Sequence, residues 1–216
     1  MLSAISRHRP ALVYLAYPNN PTANLWRVDA MRRIIAAANG LVVIDEAYQP
    51  FSSRTWLDEI RAEPQAYQHV LLLRTLSKFG LAGVRLGYLL GCKALISEID
   101  KLRPPYNISV LNAETGLFAL EHAEVFAAQA AQIRVERSRV SMELANLPGI
   151  EVFPSDANMI LVRVADAARI FDGLKQHKIL VKNVSAMHTL LAGCLRLTVG
   201  TREENNSMIQ VMKELA

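Results

Sequence analysis

Apolar residues in the first part of the chain cluster in short unbroken runs, at Ala11–Ala16 (ALVYLA), Leu41–Ile44 (LVVI) and Val70–Leu73 (VLLL). Runs this short, bounded by polar residues, suit strands covered on both faces. Between the first two, Val28, Met31, Ile34, Ile35 and Ala38 recur at helical spacing within Trp26–Asn39, and Asn39-Gly40 is a helix stop. Strand, helix and strand in that order predict a βαβ crossover. Thr55–Ala66 reads as a helix ending near Pro64, Leu86–Leu90 as a returning strand and Lys93–Leu102 as a short amphipathic helix. The short basic stretch Met1–Pro10 shows no periodicity and reads as a helix remnant or a connection.

Pro104-Pro105-Tyr106-Asn107 breaks the pattern and marks the expected boundary between domains at 1–109 and 110–216. After it, a helical stretch from Val110 to Leu147 is broken around Glu121–Val125. Strands follow at Ile150–Phe153 and Asn158–Val164, then a helix at Ala167–His177, a strand at Ile179–Lys182 and a closing helix from Glu203. In Cys194–Val199 (CLRLTV) the alternation puts Leu195, Leu197 and Val199 on one face and Arg196 with Thr198 on the other. Mixed helices and strands here predict a small α+β domain.

Candidate chemistry sits where the early strands stop. The first runs into the turn-rich Tyr17-Pro18-Asn19-Asn20-Pro21-Thr22, the second delivers Asp45, Glu46 and Tyr48, and the third delivers Ser77 and Lys78. Polar groups at the carboxyl ends of parallel strands line the crevice where open α/β sheets bind ligands. A lysine beside an apolar wall loses its proton more readily, and the neutral amine attacks carbonyls. Arg85, among Gly80, Gly83 and Gly87, supplies a fixed cation where backbone can approach a phosphate.

Taken together, YPNNPT, VVIDEAYQPF, LRTLSKFGLAGVRLGY, RPPYNIS, PSDANMILVRV and CLRLTVGTREEN resemble the signature of fold-type I pyridoxal-phosphate (PLP) aminotransferases, in the version used by histidinol-phosphate aminotransferases. The resemblance covers nearly the whole chain. It implies an α/β fold: an incomplete PLP-binding large domain with a mixed, mostly parallel sheet, plus a small α+β C-terminal domain. By the same resemblance Lys78 is the Schiff-base lysine and proton carrier, and Asp45 is the partner of the pyridine nitrogen. Tyr48 and Asn20 bond the ring's 3′-oxygen, while Thr75, Ser77 and Arg85 form the phosphate site. Arg196 enters the substrate pocket, where a planar guanidinium suits a phosphate or a carboxylate. Lys182 stands near a second basic substrate position, with surface charge as its plainer account.

The implied reaction exchanges L-histidinol phosphate and 2-oxoglutarate for imidazole-acetol phosphate and L-glutamate, in a homodimeric cytoplasmic enzyme. A threonine-phosphate decarboxylase shares most of these motifs and stays open. So does a catalytically incompetent fragment, since the N-terminal arm, Gly-rich loop and stacking aromatic of the family are not found before Met1; the chain reads as a C-terminal portion. Ala23 departs from the family's Asn-Pro-Thr-Gly turn. An alanine held at positive φ costs ~1–2 kcal/mol.

Composition narrows the alternatives. The 216 residues are 51% hydrophobic and 20% charged with a formal charge of +4, and the basic residues are dispersed, so nucleic acid is not suggested. Cys92 and Cys194, both in apolar sequence, are expected as reduced thiols. No apolar run approaches a membrane span and no signal peptide precedes Met1. The histidines show no metal spacing. Neither G-x-x-x-x-G-K-[ST] nor G-x-G-x-x-G occurs, against nucleotide hydrolase and oxidoreductase readings.

Overall fold

The computed structural model describes residues 1–215. Its contacts divide the chain into two units: one made of 1–18 and 25–127, the other of 19–24 and 128–216. The first unit holds α1 (Leu2–His8), β1 (Leu12–Ala16), α2 (Val28–Ala37), β2 (Leu41–Asp45), α3 (Trp56–Ala62), β3 (Val70–Thr75), β4 (Gly87–Leu90), α4 (Lys93–Asp100) and α5 (Val110–Glu121). Its sheet has the order β1-β2-β3-β4, the first three parallel and β4 antiparallel to β3. The expected mixed, mostly parallel sheet is therefore found.

Alternation decides which face of this sheet is covered. Val13, Leu15, Val42, Ile44, Val70 and Leu72 are buried against Met31, Ile34 and Ile35 of α2 and against Trp56. Leu12 and Tyr14, pointing the other way from β1, are more than half exposed. Helix α3 begins at Thr55, whose hydroxyl accepts from Leu57 N at 3.0 Å, the usual work of a threonine N-cap. It is shorter than Thr55–Ala66 because Pro64 opens a separate 3-10 turn at Pro64–Tyr67.

The division falls at 127/128, inside α6 (Ala123–Ala145), and not at 109/110. The Pro-Pro break is a bend within the first unit, because α5 returns to it. A Cβ on Gly116 would lie 2.9 Å from Leu86 Cδ1, and Phe79 packs on Phe126 with centroids 4.9 Å apart.

The second unit contains β5 (Glu151–Val152), β6 (Met159–Arg163), α7 (Ala167–Gln176), β7 (Lys182–Asn183), β8 (Cys194–Thr198) and α8 (Arg202–Leu215). Its sheet is antiparallel throughout, in the order β5-β6-β8-β7. Ile160, Val162, Leu195 and Leu197 meet Val140 and Leu144 of α6, Ile170 and Leu174 of α7, and Met208, Ile209 and Met212 of α8. The strand expected at Ile179–Lys182 is only Lys182–Asn183, since the preceding residues close α7. Lys178 adopts φ 61, and Ile179 N donates to Leu174 O at 2.9 Å. Cys194 is buried as expected, whereas Cys92 is partly exposed, its thiol donating to Gln68 O at 3.2 Å.

Residues 19–24 belong to the second unit through Asp156 N, which donates to Ala23 O at 2.8 Å. Ala23 is fully buried at φ 60, the left-handed conformation that its neighbours in the turn demand. Its own N–H donates to Asn19 O at 2.8 Å, which fixes that geometry. Ala23→Gly removes a strain of ~1–2 kcal/mol against a backbone-entropy cost of ~0.5–1 kcal/mol. The expected result is a small gain, seen as a higher urea midpoint; a lower midpoint would show that the Ala23 methyl packs better than its backbone is strained.

Glu136 of α6 ties this unit together through Arg139 (2.6 Å) and the Asn205 amide (3.1 Å). The Arg139 guanidinium, helped by Asn205 and opposed by partial desolvation, holds the Glu136 carboxyl below its ordinary 4.5. A depressed carboxyl contributes stability that is complete above the ordinary value and is lost as pH falls through the folded one. Urea unfolding from neutral pH down past 4.5 should show this loss, and Glu136→Gln should flatten it.

Candidate functional site

Parallel pairing brings the ends of β1, β2 and β3 to one edge of the first sheet. Ala16 pairs with Asp45, and Asp45 with Leu73, two residues before Thr75 ends β3. Because β4 runs the other way, with Gly87 opposite Thr75, its beginning lies at that same edge and Arg85 just precedes it. Asp45, Tyr48, Thr75, Ser77, Lys78 and Arg85 thus all lie at one end of one sheet, Asp45 and Thr75 as the last residues of their strands and the others on the turns that follow or precede strands.

Lys78 occupies a 3-10 turn, Ser77–Phe79, closed by Gly80 at φ 100. Its amine lies 5.6 Å from the centroid of the Tyr48 ring. No carboxylate pairs with it among the described residues. Among the described residues Lys78 is exposed, with the Tyr48 ring on one side, where the sequence led to an apolar wall. The Thr75 hydroxyl accepts from Ser77 N at 3.0 Å and donates to Leu86 O at 3.1 Å, so it braces the lysine turn against the start of β4. Arg85 sits in a left-handed conformation, φ 55, and its guanidinium donates to Ala82 O at 3.4 Å. That contact is long and on an exposed residue, so the cation is readily released to a stronger acceptor.

Asp45 is held by both oxygens. Oδ1 accepts from Ala47 N at 2.9 Å and Oδ2 from the Tyr14 phenol at 2.5 Å. Desolvation of the phenol, then its hydrogen bond to Asp45 and that residue's charge, push the Tyr14 pKa up to about 12. Tyr14 therefore stays a donor at neutral pH. A carboxylate has about four acceptor positions, so Asp45 can take a further donor.

Beneath this edge, Glu46 is buried and fully engaged. It accepts from Trp56 N at 2.5 Å, from the Thr55 hydroxyl at 2.9 Å, and from Arg74 Nε and Nη2 at 3.0 and 2.8 Å. One carboxylate thus caps α3 and clamps β2 to β3. Neither Tyr14 nor the Glu46–Arg74 clamp was assigned a role from sequence. The signal for Tyr14 is strand register, which no motif displays.

In the second unit Arg196 and Asn20 meet: Arg196 Nη1 donates to Asn20 Oδ1 at 2.8 Å. Arg196 Nε is shut off from solvent and has no acceptor among the described residues. The antiparallel register sets Lys182 directly opposite Arg196. Like charges so placed are unfavourable without an anion. Lys182 is exposed, as a surface charge would be, yet its neighbour makes it half of a cationic pair. Among the described residues no cluster of His, Cys, Asp or Glu is placed to hold a metal ion, and no helix is long and apolar enough to cross a membrane.

Comparison with known proteins gives the family. The family model of aminotransferase class I and II matches residues 1–212. The chain is 64% identical to the histidinol-phosphate aminotransferase of Paracidovorax citrulli, over 99% of this chain and 59% of that protein. It is 61% identical to the enzyme of the same name from Acidovorax sp. strain JS42, with the same coverage. Among solved structures it resembles histidinol-phosphate aminotransferase from Sinorhizobium meliloti in complex with pyridoxal-5′-phosphate, with a TM-score of 0.85 at 28% identity, over 99% of this chain and 59% of that one. The chain spans 59% of the length of these curated relatives. On the matched span, the strand-end residues and the shared fold, the chain belongs to the aminotransferase class I and II family.

Proposed function

We propose that this chain carries the cofactor lysine and substrate cations of a PLP-dependent transaminase that uses histidinol phosphate and 2-oxoglutarate and gives imidazole-acetol phosphate and glutamate. The observation that carries it is the Lys78 amine over the Tyr48 ring, with no carboxylate paired to it among the described residues, at the sheet edge that also holds Asp45 and Arg85. The donor set fits PLP: an amine for an aldehyde, a carboxylate with free lone pairs for a ring N–H, a phenol for a ring oxygen, and a guanidinium with hydroxyls for a phosphate. When bound, PLP supplies an aldehyde to carry the amino group and a ring that accepts the electron pair released at the substrate Cα.

The chain's own groups do the rest. Lys78 Nζ would hold the cofactor and, once freed by substrate, would serve as the base that takes the substrate Cα proton and the acid that gives it back. Asp45 would accept from the ring N–H and so favour the protonated ring nitrogen. Tyr48 and, by the family resemblance, Asn20 would donate to the ring oxygen, and the Arg196 bond to Asn20 Oδ1 holds the Asn20 amide in one orientation. Arg85, with Ser77, binds the cofactor phosphate, and the Thr75 hydroxyl keeps that turn in place. The Arg196–Lys182 pair takes the anionic group of each substrate, which explains two cations facing each other across a ladder. By the same reading the working protein is a homodimer in the cytoplasm, where Cys92 and Cys194 stay free thiols.

Adding PLP to the purified chain tests the cofactor: a visible absorbance band is expected. Substrate is tested by supplying histidinol phosphate with 2-oxoglutarate, and separately threonine phosphate. Glutamate formed from the first supports the reading. Carbon dioxide released from the second would replace it with a decarboxylase.

A further inference from the structure

We infer that Tyr14 is a positioning residue, which fixes the Asp45 carboxylate for the ring nitrogen of the cofactor; this rests on the PLP reading above. Three observations carry it, all within the first unit. In the parallel register Tyr14 pairs with Val43, and Asp45 is two residues beyond Val43 on the same face, so the tyrosine reaches the carboxylate diagonally across two strands. Each Asp45 oxygen has its own donor, Oδ2 the Tyr14 phenol and Oδ1 Ala47 N. With only the Ala47 bond the carboxylate could turn about its last torsion, which is broad for an aspartate; the second bond sets its plane. Tyr14 is also more than half exposed. A phenol so placed has water as an alternative partner, and its bond to Asp45 is not a requirement of core packing.

The bond has a chemical consequence as well as a geometric one. A donor on Oδ2 takes up one lone pair and leaves the others directed away from Tyr14, so the approach open to a ring N–H is narrowed. Tyr14 remains protonated, since its phenol titrates near 12. It therefore donates over the whole pH range in which a transaminase would work.

The test compares the unaltered chain with Tyr14→Phe, which removes one hydroxyl from an exposed ring and leaves the ring's packing in place. Dissociation constants are measured by absorbance titration for PLP and for its analogue with C–H in place of the ring nitrogen. Tyr14→Phe should weaken PLP by roughly tenfold, the scale of one hydrogen bond to a charged group, and leave the analogue unchanged. An equal loss for both ligands, or no loss for either, overturns the positioning role while the cofactor reading stands. Failure of the unaltered chain to bind PLP would overturn both. A thermal midpoint for each protein shows whether a global change is responsible: a lowered midpoint with equal losses marks Tyr14 as merely structural.

Discussion

Lys78→Ala should leave a folded chain that no longer shows the visible band with PLP and no longer retains the cofactor after borohydride reduction. In the unaltered chain, reduction should fix PLP to the peptide containing Lys78, read by mass spectrometry. The loss in transamination is expected to be the largest of any single change. Removing a general acid–base group costs roughly 10²–10⁴ in rate, and on the proposed assignment the same atom would also anchor the cofactor. Stability should hardly change, because Lys78 is exposed and its one ring contact, at 5.6 Å from Tyr48, is worth at most about 1 kcal/mol at an exposed site. PLP attached to another lysine in the unaltered chain would sink the assignment.

Arg74→Leu should do the reverse, destabilising the first unit by roughly 3–5 kcal/mol, since it leaves the Glu46 carboxylate buried and unpaired. The Glu46 side chain is 0% exposed and that of Arg74 14%, so solvent screens the pair very little. Against a domain stability of about 5–15 kcal/mol, this removes a third or more of the stability in most of that range and would unfold much of the chain at its low end. Arg74→Leu combined with Glu46→Gln should recover much of the loss. The glutamine oxygen can still accept from Trp56 N, and no uncompensated charge remains. Urea unfolding of the single and double variants decides it. A single variant within 1 kcal/mol of the unaltered chain would mean that water or a rearranged Thr55 satisfies Glu46, and that the clamp is not what joins β2 to β3.

The strand ends were legible because a buried parallel strand reads as an unbroken apolar run, and ALVYLA, LVVI and VLLL were each recovered within a residue or two. The break in the long helix near Glu121 was legible too, and the gap between α5 and α6 lies there. Positive φ at Ala23 followed from an alanine standing where the turn calls for glycine. What misled was local punctuation. Pro104-Pro105 reads as a domain boundary, yet prolines report only that a helix stops, and the division depends on what α5 packs against afterwards. Ile179–Lys182 reads as a strand, but its first residues close α7 through the left-handed Lys178.

The amino-acid order alone determined which residue types stand at the exits of the strands: an amine, two carboxylates, phenols and guanidiniums, each following an apolar run that must be buried. Hydrophobic period and turn chemistry are local, so they survive in one dimension. Which of those groups touch was decided only by tertiary structure, because register across a sheet is set by how whole faces pack. Tyr14 meets Asp45, Arg74 meets Glu46 and Lys182 faces Arg196 through strand pairing, and a slip of one residue would turn every one of these side chains to the opposite face.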